Sequence, residues 1–321
     1  MSYDIIADVH GEREALECLL YKLGYRYRAG TWRHPEREAI FLGDLIDRGP
    51  DARGVVRLVR GMVEAGSAHC VLGHHEFNAI AYHTQDPRQP EQRLRPHTER
   101  NMDQHAGTLA SYTGHEAALA SDLAWFRSLP FWLELNGVRV VHAAWRQPSM
   151  AVIEEMELGV SDDWPETTPE AFDPDTPIGA ALEEVLKGVE WTLPDGMHFS
   201  DKDGNSRSAV RVRWWDARPG LRWCDVGFGP SALMAALPDS RVPADHPELC
   251  YPAEAPPVLF GHYWLDGQPA PQARNVACLD YSVARGGDLV AYRWDGEPAL
   301  RADKFVTVPG EAPSPAGATS G

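Results

Sequence analysis

Between Tyr3 and Glu76 one pattern occurs three times: a short apolar run, then a polar turn containing glycine, then an amphipathic stretch. Tyr3 to Ala7 leads into Asp8-Val9-His10-Gly11, and Ala15, Leu16, Leu19, Leu20 and Leu23 then recur at helical spacing up to a stop at Gly24. Glu38 to Leu42 leads into Gly43-Asp44, with a helix expected from Ala52 to Ala65. His69 to Leu72 leads into Gly73-His74-His75-Glu76. Strands that alternate with helices in this way predict an α/β fold with parallel strands. Each polar turn falls just past the C-terminal end of a strand, where open α/β sheets bind ligands.

The rest of the chain is less regular. Gln85 to Arg100 reads as a loop and Glu116 to Phe126 as a helix. Asn136-Gly137 between Trp132–Leu135 and Val138–Val141 predicts a two-residue hairpin. From about Ser149 to Pro257 the chain is rich in Pro, Asp, Glu and Trp, which suggests an insertion with one clear helix, Ile178 to Leu186. Strands are expected at Val258–Phe260, Val276–Leu279 and Leu289–Trp294, and a disordered tail near the end. The expected division is a core of residues 1–148 and 257–307, an insertion or cap at 149–256, and a tail at 308–321.

Composition narrows the function. With 43% hydrophobic residues in a chain of 321, a sizeable core is available. The net charge of −17 argues against coating extended nucleic acid, though not against a short end. An acidic chain that handles phosphates needs local positive charge, which divalent metals supply. Five cysteines without CxxC spacing argue against a disulfide framework, and no apolar run is long enough for a membrane span. A cytoplasmic protein is expected.

Five clusters stand at the expected strand ends: Asp8-x-His10, Gly43-Asp44-x-x-Asp47-Arg48-Gly49, Gly73-His74-His75-Glu76, Val141-His142-Ala143 and Gly261-His262-Tyr263. Carboxylate and imidazole together suit Mn, Fe, Zn, Co or Ni better than Mg or Ca alone. In this order the clusters resemble the signature of the calcineurin-like metallophosphoesterase superfamily. GDxxDRG points to its branch of PPP-type serine/threonine phosphatases and symmetrical diadenosine tetraphosphatases. The resemblance covers roughly Met1 to His142 and Pro257 to Trp294.

The resemblance implies two packed mixed β-sheets flanked by helices, a metallophosphoesterase sandwich, here with a large insertion. It implies two divalent ions, Mn first and Zn, Fe, Ni or Co as alternatives. Asp8 and His10 would hold the first metal, Asp44 would bridge, and His74, His142 and His262 would complete the second. A metal-bridging hydroxide would attack phosphorus. His75, oriented by Asp47, would be the general acid, and Arg48 would hold phosphate oxygens. Arg211 and Arg213 are candidates for a second phosphate contact. One position departs from the pattern: His74 stands where the family carries Asn, which makes the second site richer in nitrogen if His74 ligates.

The expected substrate is a phosphate ester. Phosphomonoesters or phosphoprotein are the first reading and dinucleoside polyphosphate the alternative; a non-catalytic scaffold is a third. Trp214, Trp215 and Trp223 offer faces for stacking a base, but packing the insertion's own core is the plainer reading. Oligomeric state is not legible.

Overall fold

The computed structural model describes residues 2–158, 164–200, 206–229 and 231–310. The three strand–turn–helix units are present. β1 (Ser2–Ile6) is followed by α1 (Arg13–Leu23), β2 (Arg37–Phe41) by α2 (Ala52–Glu64), and β3 (Ala68–Cys70) by α3 (His74–His83). Then come α4 (Glu99–Ser111), α5 (Glu116–Arg127), the hairpin β4 (Trp132–Leu135) and β5 (Val138–Val141), and α6 (Gln147–Glu155). After α7 (Pro177–Lys187), the chain forms β6 (Val258–Phe260), β7 (Val276–Cys278), β8 (Asp288–Trp294) and β9 (Phe305–Pro309).

Two mixed sheets result, one ordered β9–β8–β1–β2–β3 and the other β7–β6–β5–β4. β1, β2 and β3 run parallel, as do β5, β6 and β7, while β8 lies antiparallel to β1. Side chains on a strand alternate in direction, and here both directions lead into apolar surroundings. Tyr3, Ile5, Ile40, Leu42, Val138, Val140, Leu259, Ala277, Val290 and Tyr292 meet between the two sheets. Ile6, Ala39, Phe41, Val258, Phe260, Val276, Leu289 and Ala291 turn the other way, into the larger core beneath the helices. Burial on both faces is why these strands read as continuous apolar runs rather than alternating ones.

Local chemistry sets the ends. Gly24, at φ 102°, closes α1 with its N–H on the carbonyls of Leu20 and Tyr21. Asp51 caps α2 by accepting from Gly54 N at 2.8 Å. Asn136 and Gly137 both have positive φ, 50° and 92°, as a type I′ hairpin turn requires.

The sequence reading needs correction in places. Gln85 to Arg100 is not one loop. Gln85–Asp86 and Gln89–Arg93 pair as a small hairpin, clamped by Arg88 on the Asp86 carboxylate at 3.0 Å, and α4 begins at Glu99 under a Thr98 cap. The hairpin is nearly all polar and exposed, so no alternation marks it. α4 escapes notice because its fully buried residues are His105 and Thr108, two polar side chains. At the other end β9 carries ordered chain to Pro309, past the expected start of the tail at 308, with Val308 opposite Leu289; residues 311–321 lie outside the described ones.

The segment 149–256 is fastened to the core. Val185 O accepts the N–H groups of Ala143 and Ala144, Trp214 Nε1 donates to Ala143 O at 3.0 Å, and Tyr263 Oη donates to Val212 O at 3.0 Å. Its strands Glu190–Thr192, Ala209–Val212 and Gly227–Phe228 form a three-stranded sheet. Trp214, Trp215 and Trp223 are 2%, 6% and 0% exposed, so none offers a face to a ligand. Among the described residues no helix is long and apolar enough to cross a membrane.

Candidate metal centre

Turns from both sheets converge at the ends of β1, β2, β3, β5 and β6. The first two turns are stitched together: Val9 and His10 donate to Asp44 O at 3.0 and 2.8 Å, and Gly49 N donates to His10 O at 2.8 Å. The buried Glu76 carboxylate accepts N–H from Asp44 (2.8 Å), Leu45 (2.8 Å), Ile46 (3.3 Å) and Gly73 (3.2 Å). Burial, then the Asp44 charge, pushes Glu76 up to about 7. The second and third turns touch so closely that a Cβ on Gly73 would stand 2.2 Å from Asp44 N. Five non-glycine residues here hold left-handed backbone: His10 (48°), Asp44 (51°), Asp47 (66°), Arg48 (69°) and His262 (63°). Each such conformation costs about 1–2 kcal/mol, and it persists where surroundings over-determine it, commonly at functional sites.

Asp44 is the hub. Its Oδ2 lies 2.9 Å from His74 Nδ1, and its Oδ1 lies 3.3 Å from His142 Nε2. His74 Nδ1 in turn stands 3.0 Å from His142 Nε2 and 3.1 Å from His262 Nδ1. The four donor atoms of Asp44, His74, His142 and His262 thus lie mutually close, and His74 contributes to the group from the position where Asn is usual. On the other side of Asp44, His10 Nε2 is 3.7 Å and His75 Nε2 is 3.9 Å from its Oδ2. This second group is His10, Asp44 and His75; of the residues expected at the first metal, Asp8 is not in it. Asp8 is buried beneath, its carboxylate accepting the His262 N–H at 3.1 Å.

These residues fit divalent cations on chemical grounds. His142 Nδ1 donates to Leu42 O at 2.7 Å, and His10 Nδ1 faces Ile46 O at 3.0 Å. Carbonyls only accept, so each ring keeps a proton on Nδ1 and turns Nε2 toward Asp44. Asp44 Oδ2 and the Nε2 atoms of His75 and His262 are buried without hydrogen-bond partners. An unpartnered carboxylate oxygen ringed by imidazoles in a dry site calls for positive charge. The electrostatics agree. Burial lowers His10, to about 3, and holds His74 and His262 well below the usual imidazole range. Burial also opposes a charge on His142, yet the Asp44 carboxylate outweighs it and raises His142 to about 10, so one proton is held where a cation belongs. Asp8 is pushed well above the carboxylate range by burial and then by the neighbouring Asp280.

Beside this cluster, His75 Nδ1 donates to Asp47 Oδ2 at 2.6 Å. Arg48 is exposed on the next residue of the same turn. Arg211 has its guanidinium carbon 5.3 Å from the Tyr263 ring centre, and its positive charge is felt by His262; Arg213 is exposed beyond the end of its strand. Three residues that the sequence reading did not single out for a role prove structural to the site. Glu76 anchors two turns, and His105 and Thr108 both bind Asp47. Glu76 was visible inside the third cluster; nothing in the sequence marks the other two.

The profile of the calcineurin-like phosphoesterases matches residues 1–167, more than half of the chain. The chain belongs to that family. Over 76 residues it is 47% identical to the asymmetrical bis(5'-nucleosyl)-tetraphosphatase PrpE of Oceanobacillus iheyensis, a match that takes in 23% of this chain and 30% of that protein. The chain therefore spans about a third of the length of the first curated relatives that it matches. Over 313 residues it is 25% identical to a symmetrical bis(5'-nucleosyl)-tetraphosphatase of Pectobacterium atrosepticum, covering 92% of both chains. Among solved structures it is similar in fold to a cold-active protein-tyrosine phosphatase of a psychrophilic Shewanella, with TM-score 0.50 and 15% identity over 95% of this chain and 80% of that one.

Proposed function

We propose that this phosphoesterase-family chain is a metal-dependent phosphatase acting on phosphate esters, with Asp8, His10, Asp44, His74, His142 and His262 holding two divalent ions. The observation that carries the reading is the convergence of buried, partnerless donor atoms on Asp44, with the His75–Asp47 pair and Arg48 alongside. The nitrogen-rich group around His74 favours Mn, Zn, Fe, Ni or Co over Mg, and Mn is the first choice. Such ions supply Lewis acidity and an activated water.

The chain's own residues do the rest. Arg48 offers a planar fork to two phosphate oxygens. Asp47 holds the Nδ1 proton of His75, which turns Nε2 toward the cluster as the donor for the leaving oxygen. Arg211, packed over the Tyr263 ring, and Arg213 are our candidates for a second phosphate contact. We read the segment 149–256 as the cap that selects substrate. Five cysteines without CxxC spacing suit a reducing compartment, and we propose a cytoplasmic protein.

A second reading is hydrolysis of dinucleoside polyphosphates, which the similarity along 92% of the Pectobacterium protein favours. The test is a panel of p-nitrophenyl phosphate, a phosphopeptide and diadenosine tetraphosphate, run on metal-stripped protein with Mn, Zn, Ni or Mg restored singly. Metal-restored turnover is expected, and the best substrate separates the two readings. Folded protein silent on every substrate with every metal would leave a non-catalytic scaffold.

A further inference from the structure

Asp47 has two carboxylate oxygens, and only one is taken by His75. The other, Oδ1, faces His105 Nδ1 at 2.8 Å and also accepts from the Thr108 hydroxyl. The Asp47 N–H donates to that same Thr108 oxygen at 3.0 Å. A carboxylate accepts only, so His105 carries a proton on Nδ1. Behind it, His83 Nε2 stands 3.2 Å from His105 Nε2, and one proton must lie between them. Burial, then the nearby His105, lowers His83 to about 4, so His83 is neutral and shares that proton with His105. The hydrogen bonds in this row then converge on Asp47 from both sides, His105 donating to Oδ1 and His75 to Oδ2. His75 Nε2, buried without a partner, is the end of the row on the metal side.

We infer that His105 is a positioning residue of the phosphoesterase reaction. From α4 it holds the second oxygen of Asp47, and so orients His75 toward the leaving oxygen. The inference rests on the phosphoesterase reading above. His105 is 4% exposed. The space between it and His75 is a cavity of about 10 Å³, lined also by Arg95, which donates to Asn78 Oδ1 at 3.0 Å and Gln104 Oε1 at 2.7 Å. That volume is about one water and admits no substrate, so His105 acts only through Asp47. In the step it supports, the His75 Nε2–H bond breaks and the proton passes to the oxygen of the departing alcohol as the P–O bond breaks. Water later returns a proton to Nε2, and Asp47 remains a carboxylate throughout.

Two conservative variants separate positioning from mere packing. In His105→Asn the amide nitrogen takes the place of Nδ1 and reaches Asp47. In His105→Gln it takes the place of Nε2 and meets His83 instead. The measurements are kcat and KM on phenyl phosphate and p-nitrophenyl phosphate, bound metal, melting temperature, and the ¹⁵N-histidine NMR signal of the His75 Nδ1–H. Asn is expected to keep kcat within a few-fold of the parent. Gln is expected to lose roughly 10- to 100-fold on phenyl phosphate, and less on p-nitrophenyl phosphate, whose leaving group needs little protonation, with KM and metal unchanged. Equal behaviour of the two variants, or equal losses on both esters, would overturn the inference. Absence of turnover in the parent protein defeats the phosphatase reading alone. His105 is then judged by the His75 Nδ1–H signal, which should persist in Asn and be lost or moved in Gln; an unmoved signal in Gln sinks it.

Discussion

At the scale of single residues, Asp44 and His75 divide the work of the site. Asp44 faces both groups of imidazoles, and burial, which would raise it, is outweighed by His142, His74 and His75, so it stays well below the carboxylate range. His75 stands in one of those groups and also pairs with Asp47, so geometry alone gives it two possible roles. As a proton donor, its replacement in His75→Asn should lower kcat by roughly 10²- to 10⁴-fold with bound metal unchanged. Metal analysis of the variant checks this: loss of an ion would make His75 a ligand. Arg48→Lys keeps the charge but loses the fork, and steady-state kinetics should show roughly tenfold lower kcat/KM.

At the scale of elements, the turns after β2 and β3 work as one unit. Gly73→Ala would drive a methyl to 2.2 Å from Asp44 N and about as close to the Glu76 carboxylate, at 2.5 Å. Backbone must move, and a loss of at least about 2 kcal/mol in urea unfolding is expected, together with weaker metal binding. Glu76→Gln replaces an acceptor of four backbone N–H groups and should cost about 1–3 kcal/mol by the same measurement. α4 makes the contrasting case. It contributes no apolar stripe, only His105 and Thr108, and its value to the fold lies in what those two hold.

At the scale of the whole molecule, the site joins the strand ends of both sheets, so site and fold should respond together. Metal binds the folded state and stabilises it, so chelation is expected to lower the melting temperature. The pH dependence has a definite sign on the alkaline side. Without metal, His142 is raised from 6.5 to about 10, so the folded state holds a proton that the unfolded state releases. That stabilisation is complete below about 6.5 and is lost as pH rises toward 10. Glu76, raised from 4.5 to about 7, has the same sign at lower pH, its contribution being lost between about 4.5 and 7. Metal-stripped protein should therefore show a melting temperature falling from pH 7 to 10, and metal-loaded protein, whose His142 cannot keep that proton, a flatter profile. Trp214→Ala would empty a wholly buried site against Phe260 and break the bond to Ala143 O, costing about 3–5 kcal/mol. Scanning calorimetry should show one transition lowered, since this segment shares its core with the rest.

Short-range signals told the most in the sequence. The three strand–turn–helix units, the Asn136-Gly137 hairpin and the five clusters at strand ends were legible because periodicity, capping and turn chemistry act within a few residues. The ligand types were legible too, since only Asp, His, Glu and Arg fill those turns as reactive residues. The sandwich itself came from resemblance, because apolar runs buried on both faces do not say which face meets which sheet. Tertiary structure alone decided that His74 turns its Nδ1 onto Asp44, that Asp8 takes the His262 N–H, and that the tryptophans are core. It alone brought His105 and Thr108, 58 and 61 positions along the chain, onto Asp47. Contacts between polar side chains so far apart leave no period or spacing in a sequence, and only the path of the folded chain brings them within hydrogen-bond reach.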